Sequence, residues 1–136
     1  MIKEELTRDP KQSNPLAWAF LGDATYTHCV RYHLIARGLV KPNHLHKEAK
    51  RYVSAKAQAN ILLNLMPTLT EEEQSVVKRG RNAKSGSVAK NADIIDYRHA
   101  TALEALIGYL YLQGEEERIA EIMLQAFEIV EGVQEV

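Results

Sequence analysis

Apolar residues in this chain recur at intervals of three and four and never alternate over a sustained run, so its core-forming stretches read as helices and no strand is expected. Asn14-Pro15 opens the first helix, because the Asn side chain can accept from N–H groups of the first turn and proline's missing N–H costs nothing there. That helix should run to about Arg37 and stop at Gly38. Lys41-Pro42 opens a second stretch, in which Leu45, Ala49, Tyr52, Val53, Ala57, Ile61, Leu62 and Leu65 keep helical spacing without interruption until Met66-Pro67. Thr70, followed three residues later by Glu73, forms a capping box for a short helix that fades near Arg81. Residues 82–91, NAKSGSVAKN, are small, polar and basic, which predicts an exposed loop. A further helix covers about 96–113, Gly114 breaks it, and 115–131 is amphipathic through Ile119, Ile122, Met123, Ala126, Phe127 and Val130. The predicted fold class is all-α.

At 136 residues the chain has room for one domain, with its core over about 14–131, and is long enough to bury roughly two thirds of its unfolded surface. An apolar fraction of 46% against 26% charged excludes a disordered or low-complexity chain. No apolar run approaches the ~20 residues of a membrane span, and MIKEELTRDPK is too charged for a signal-peptide core, so a cytoplasmic protein without membrane contact is expected. The single cysteine, Cys29, cannot form an internal disulfide and falls between helical apolar positions as a buried, inert thiol.

The formal net charge of −1 conceals an asymmetry. Residues 41–56 carry Lys41, Lys47, Lys50, Arg51 and Lys56 against Glu48, and residues 78–91 carry Lys78, Arg79, Arg81, Lys84 and Lys90 against no acid. The remainder of the chain is strongly acidic, as expected of a molecule with one face for a polyanion. An ordinary solvated charge run is the alternative for each stretch.

Two carboxylates stand in apolar helical surroundings. In the first helix Leu16, Phe20, Ala24, Val30 and Leu34 mark an apolar side with Asp23 in its middle. In the helix near 96–113, Glu104 lies one turn from Ala100, Ile107 and Gly108. An unpaired buried carboxylate costs several kcal/mol, so such groups are paired, protonated or bound to a cation. On neighbouring helices the two can share a hard divalent ion, Mg²⁺ or Mn²⁺; equally, Arg31, Arg98 or a backbone N–H can neutralise each one. The histidines lack zinc-motif spacing, although His99 lies close enough in sequence to Glu104 to meet a substrate. The Gly80 to Ser87 segment lacks the ending of a nucleotide phosphate loop.

Phe20-Leu21-Gly22-Asp23-Ala24 resembles the signature segment of ribonuclease III catalytic domains, and Leu103-Glu104-Ala105-Leu106-Ile107-Gly108 resembles the family's second acidic motif. RGRNAKS at 79–85 and YRHATALEAL at 97–106 resemble segments of its Mini-III branch, in which the nuclease domain stands alone. The resemblance covers about residues 14–130. It implies a homodimeric, Mg²⁺-dependent endoribonuclease for double-stranded RNA, with Mn²⁺ as a substitute ion and no separate double-stranded-RNA-binding domain. It further implies 5′-phosphate and 3′-hydroxyl products and a role in maturing precursor ribosomal RNA of the large subunit, with a ribosomal protein as a candidate for presenting the RNA. Asp23 and Glu104 are the implied catalytic and metal-binding residues.

Two family carboxylates are missing: Ala19 stands four residues before Asp23, and Thr101 three before Glu104. Water can complete a Mg²⁺ shell, and Asp93 or Asp96 is a candidate to lean in. A catalytically silent RNA-binding module is the alternative function. Lys47, Lys50 and Arg51 on the second helical stretch, with Arg79, Arg81, Lys84, Ser85 and Lys90 around the basic loop, are the candidate RNA contacts, because duplex RNA is read chiefly through its backbone. The loop is expected to be mobile and to enter a groove of the duplex. The apolar surplus of residues 15–38 and 98–113 also suggests a dimer, with Trp18, Phe20 and Tyr26 as contributors.

Overall fold

A computed structural model describes residues 2–83 and 93–132. Among these, regular structure is helical throughout: α1 (Pro15–Ala36), α2 (Pro42–Val53), α3 (Ala55–Leu65), α4 (Glu71–Asn82), α5 (Ile94–Leu112) and α6 (Glu116–Glu131), with 3₁₀ turns at Pro10–Gln12 and Met66–Thr68. The all-α expectation holds. Among the described residues no helix is long and apolar enough to cross a membrane.

The capping signals work as the sequence implies. The Asn14 side chain accepts from the Leu16 N–H, and Thr70 and Glu73 form both arms of a reciprocal box at the head of α4. Glu73, itself buried, is also held by the Arg118 guanidinium at 2.8 Å, which ties α4 to α6.

The stretch expected as one helix over 42–65 is two. Ser54 adopts an extended backbone (ψ 151°), ends α2 by donating its N–H to the Lys50 carbonyl, and starts α3 by accepting the Ala57 N–H on its own hydroxyl. A serine side chain offers the backbone this alternative to continuing the helix, and packing takes it. The break lets α2 pack on α1 while α3 packs on α5.

Helix α5 is central, in contact with α1, α3, α4 and α6. Nine of its residues between Ala100 and Leu110 are buried, which explains why it is apolar nearly all round. The buried stripe of α1 differs from the expected one: it runs through Trp18, Ala19, Gly22, Tyr26, Val30 and Leu34, while Phe20 is 85% exposed and Asp23 and Ala24 face outward. Apolar residues ring α1, so periodicity alone does not select its core face. Trp18 and Tyr26 belong to this core and are unavailable to a second subunit, in contrast to Phe20.

Candidate active site

Helices α1 and α5 cross backbone to backbone. A Cβ at Gly22 would run into the Glu104 carbonyl oxygen and lie 2.8 Å from the Gly108 nitrogen; one at Gly108 would run into the Trp18 carbonyl oxygen. Only glycine at both positions permits this approach. Asp23 follows Gly22 directly and Glu104 precedes Gly108 by one turn, so the crossing brings the two carboxyl groups into a shared hydrogen bond.

The pair is asymmetric. Asp23 is on the exposed face of α1, and Glu104 is half-buried, so the cost of removing a carboxylate from water falls on Glu104. Burial first, then the hydrogen bond and charge of Asp23, push the Glu104 carboxyl from 4.5 up to about 8, while a hydrogen bond from Gln58 draws it back down. At neutral pH and without a cation, Glu104 therefore holds a proton and donates it to Asp23. Among the described residues neither carboxylate forms an ion pair, which rules out the salt bridges to Arg31 or Arg98 held open by the sequence. The Tyr26 phenol, held up mainly by burial and next by the Glu104 charge, donates to the Tyr52 carbonyl oxygen at 2.6 Å. A neutral, buried phenol closes that side of the pair.

The other candidates for ligands stand apart. Ala19 is in the core, and the Thr101 hydroxyl donates to the Tyr97 carbonyl of its own helix. Asp93 caps α5 by accepting from the Ile95 and Asp96 N–H groups, and the described residues contain no cluster of three or more acidic, His or Cys side chains. The His99 ring bonds the Ile95 carbonyl, one turn back on its own helix. Sequence reasoning missed Gln58, which is 2% exposed on α3 and bonds Glu104. Its signal was an amide among Ala59, Ile61, Leu62 and Leu65, where helical spacing calls for an apolar residue.

The ribonuclease III domain model matches residues 16–115, a span that contains both acidic motifs and the helix crossing between them. The chain belongs to the ribonuclease III domain family. It is 83% identical to the Mini-ribonuclease 3 of Brevibacillus brevis over 97% of this chain and 98% of that one. It is 51% identical to the Mini-ribonuclease 3 of Symbiobacterium thermophilum over 93% of this chain and 97% of that one. A crystal structure of a Fusobacterium nucleatum protein has the same fold, with a TM-score of 0.78 and 33% identity over 90% of this chain and 98% of that chain. The chain is accordingly an endoribonuclease, of a family that acts on double-stranded RNA and uses a divalent metal.

The basic residues of this ribonuclease III domain divide by what they already touch. Lys47 and Lys50 on α2 and Arg81 on α4 are exposed and pair with no carboxylate among the described residues. Arg51 is bonded to Glu48 at 2.7 Å and to the Val130 carbonyl. The Arg79 guanidinium lies 4.6 Å from the Trp18 ring centroid and donates to the Lys11 and Ser13 carbonyls, so it pins the N-terminal segment to α4. Of the loop expected over 82–91, Asn82 instead closes α4 and Ala83 caps it, while Lys84, Ser85, Lys90 and the rest of the loop lie outside the described residues. Cys29 is half-buried rather than in the core as expected, and burial pushes its thiol up.

Proposed function

We propose that the chain is a Mg²⁺-dependent endonuclease for double-stranded RNA, with Mn²⁺ able to replace Mg²⁺, and that Asp23 and Glu104 are its metal ligands and catalytic residues. The observation that carries this reading is the meeting of two carboxylates from separate helices, neither of them paired with a cationic side chain among the described residues. The donor set is oxygen-rich and small. That suits Mg²⁺, which keeps several waters and needs few protein ligands. When bound, the ion supplies an acidified water and charge stabilisation at the scissile phosphate. Asp23 would offer an exposed carboxylate to the ion, and Glu104, held on α5 between Asp23 of α1 and Gln58 of α3, would be the second ligand in its carboxylate form, its proton passing to solvent. Lys47, Lys50 and Arg81 offer charge to the duplex backbone, and the nuclease domain itself provides the grip. Arg51, Arg79, Lys84, Ser85 and Lys90 complete the proposed RNA contacts.

The working form in this proposal is a cytoplasmic homodimer that matures the precursor of large-subunit ribosomal RNA, presented by a ribosomal protein. Phe20 is 85% exposed, Tyr32 71% and Leu124 60%, and Tyr32 and Leu124 line an apolar groove of about 520 Å³ between α1 and α6 with Cys29, Met123 and Phe127. An apolar surface of this kind favours a self-complementary contact across a two-fold axis. Sedimentation should find a dimer at micromolar concentration and a monomer for Phe20→Glu. A wild-type monomer that still cuts both strands would remove the dimer from the proposal.

The substrate class is tested by offering long duplex RNA, the same sequence as single strands, and duplex DNA. Cleavage confined to duplex RNA, leaving 5′-phosphate ends, is expected. Equal cutting of single strands would contradict the proposal.

A further inference from the structure

Gln58 is buried at a position where the fold does not need an amide. It and Glu73 are the two polar side chains buried among the described residues, and Glu73 is accounted for by Arg118 and the α4 cap. Gln58 lies on the α3 face that carries Ala59, Ile61, Leu62 and Leu65 into the core. Burying an amide there costs free energy unless it is hydrogen-bonded, and its bond is to Glu104. No buried side-chain nitrogen or oxygen among the described residues lacks a partner.

We propose that Gln58 is a positioning residue for the nuclease reaction: its amide N–H holds the Glu104 carboxylate in the orientation in which, with Asp23, it takes a divalent cation. This rests on the reading of Asp23 and Glu104 as metal ligands. Three features of the molecule support the assignment. Gln58 is 2% exposed and is held on α3 inside the core, so its amide meets the Glu104 side chain from a fixed position on the side of the pair opposite solvent. The residues one turn to the N-terminal side of the pair cannot do the same work, since Ala19 has no polar atom and Thr101 is bonded to its own helix. Finally, the Ser54 break starts α3 as a separate helix, four residues before Gln58, and α3 packs directly on α5. A partner that fixes a ligating carboxylate typically accounts for about 10- to 100-fold in metal affinity or activity.

The test uses Mn²⁺ alone as the probe, titrated into the metal-free full chain and followed by electron paramagnetic resonance. Gln58→Met matches the length of the side chain and removes the donor, and Gln58→Leu is the second variant. Both should unfold cooperatively near the wild-type temperature, because an apolar side chain suits that position. Mn²⁺ affinity should fall about 10-fold or more, kcat at limiting Mn²⁺ should fall with it and recover on saturation, and KM for duplex RNA should stay unchanged. Wild-type Mn²⁺ affinity in a folded Gln58→Met protein overturns the inference. Failure of both variants to fold also overturns it, by making Gln58 a structural member of the core. Asp23→Asn separates the two levels of the argument: if it too leaves Mn²⁺ binding intact, the metal pair itself is misassigned, whereas loss of binding in Asp23→Asn alone removes only Gln58.

Discussion

Glu104→Gln is expected to abolish cleavage while leaving the metal-free protein more stable than wild type at alkaline pH. The two effects have one cause. In the wild-type fold the Glu104 carboxyl is pushed from 4.5 up to about 8, first by burial and then by Asp23. A group whose folded pKa lies above its unfolded value binds its proton more tightly when folded. Its stabilising contribution is therefore complete below pH 4.5 and is lost progressively as pH rises through about 8. The whole span corresponds to at most roughly 5 kcal/mol, a sizeable part of the ~5–15 kcal/mol by which such domains are folded. A glutamine keeps the shape and the hydrogen bond to Asp23 without ever ionising, so thermal unfolding of the variant should lose this pH dependence. Cleavage should drop about 10³-fold or more, since a metal site supplies several kcal/mol of transition-state stabilisation and 1.4 kcal/mol is tenfold in rate. An active variant would show that Glu104 is not a metal ligand, and one with the wild-type stability profile between pH 5 and 9 would show that its carboxyl is not held above the ordinary carboxylate range.

The second large effect is expected at the helix crossing. Gly22→Ala places a methyl group against the Glu104 carbonyl oxygen and the Gly108 nitrogen, both of them backbone atoms of a buried helix. Side chains can repack around an added methyl for about 1–3 kcal/mol, but here the helices themselves must separate, so the cost should reach ~3 kcal/mol or more. The melting temperature should fall by roughly 10 °C or more. Activity should be lost even at temperatures where the variant stays folded, because separation of α1 from α5 pulls Asp23 away from Glu104. A Gly22→Ala protein that melts and cleaves like wild type would mean that the two helices do not cross at these glycines.

Much of this architecture is legible in the sequence because it is local. Asn14-Pro15 and the Thr70–Glu73 box act through hydrogen bonds within one turn, so their residue types alone announce them. The acidic motifs are equally legible, since Asp23 and Glu104 each sit beside the glycine or the turn that brings them together. What escapes is decided by tertiary packing. Ser54 is tolerated in many helices, and only the separate docking of α3 on α5 makes it a break. Phe20 and Trp18 are both apolar and two residues apart on α1, yet one is 85% exposed and the other fully buried, because the ring of apolar residues leaves the choice of face to the neighbouring helices. Arg79 reads as a free cation until its contact with Trp18 and the N-terminal carbonyls is seen. Gln58 carries no charge and matches no motif, so only its burial against Glu104 reveals it.

The central claim is that the Asp23–Glu104 pair holds the divalent ion that cuts duplex RNA. It is tested most directly by measuring single-turnover cleavage of a long duplex RNA by wild type and by folded Asp23→Asn, each in Mg²⁺ and after removal of the metal with EDTA. Rapid cleavage is expected only for wild type in Mg²⁺, with recovery when Mg²⁺ is returned, and Asp23→Asn in Mg²⁺ should cleave about 10³-fold or more slowly than wild type in Mg²⁺. Cleavage that survives EDTA, or Mg²⁺-dependent cleavage by Asp23→Asn at the wild-type rate, would contradict it.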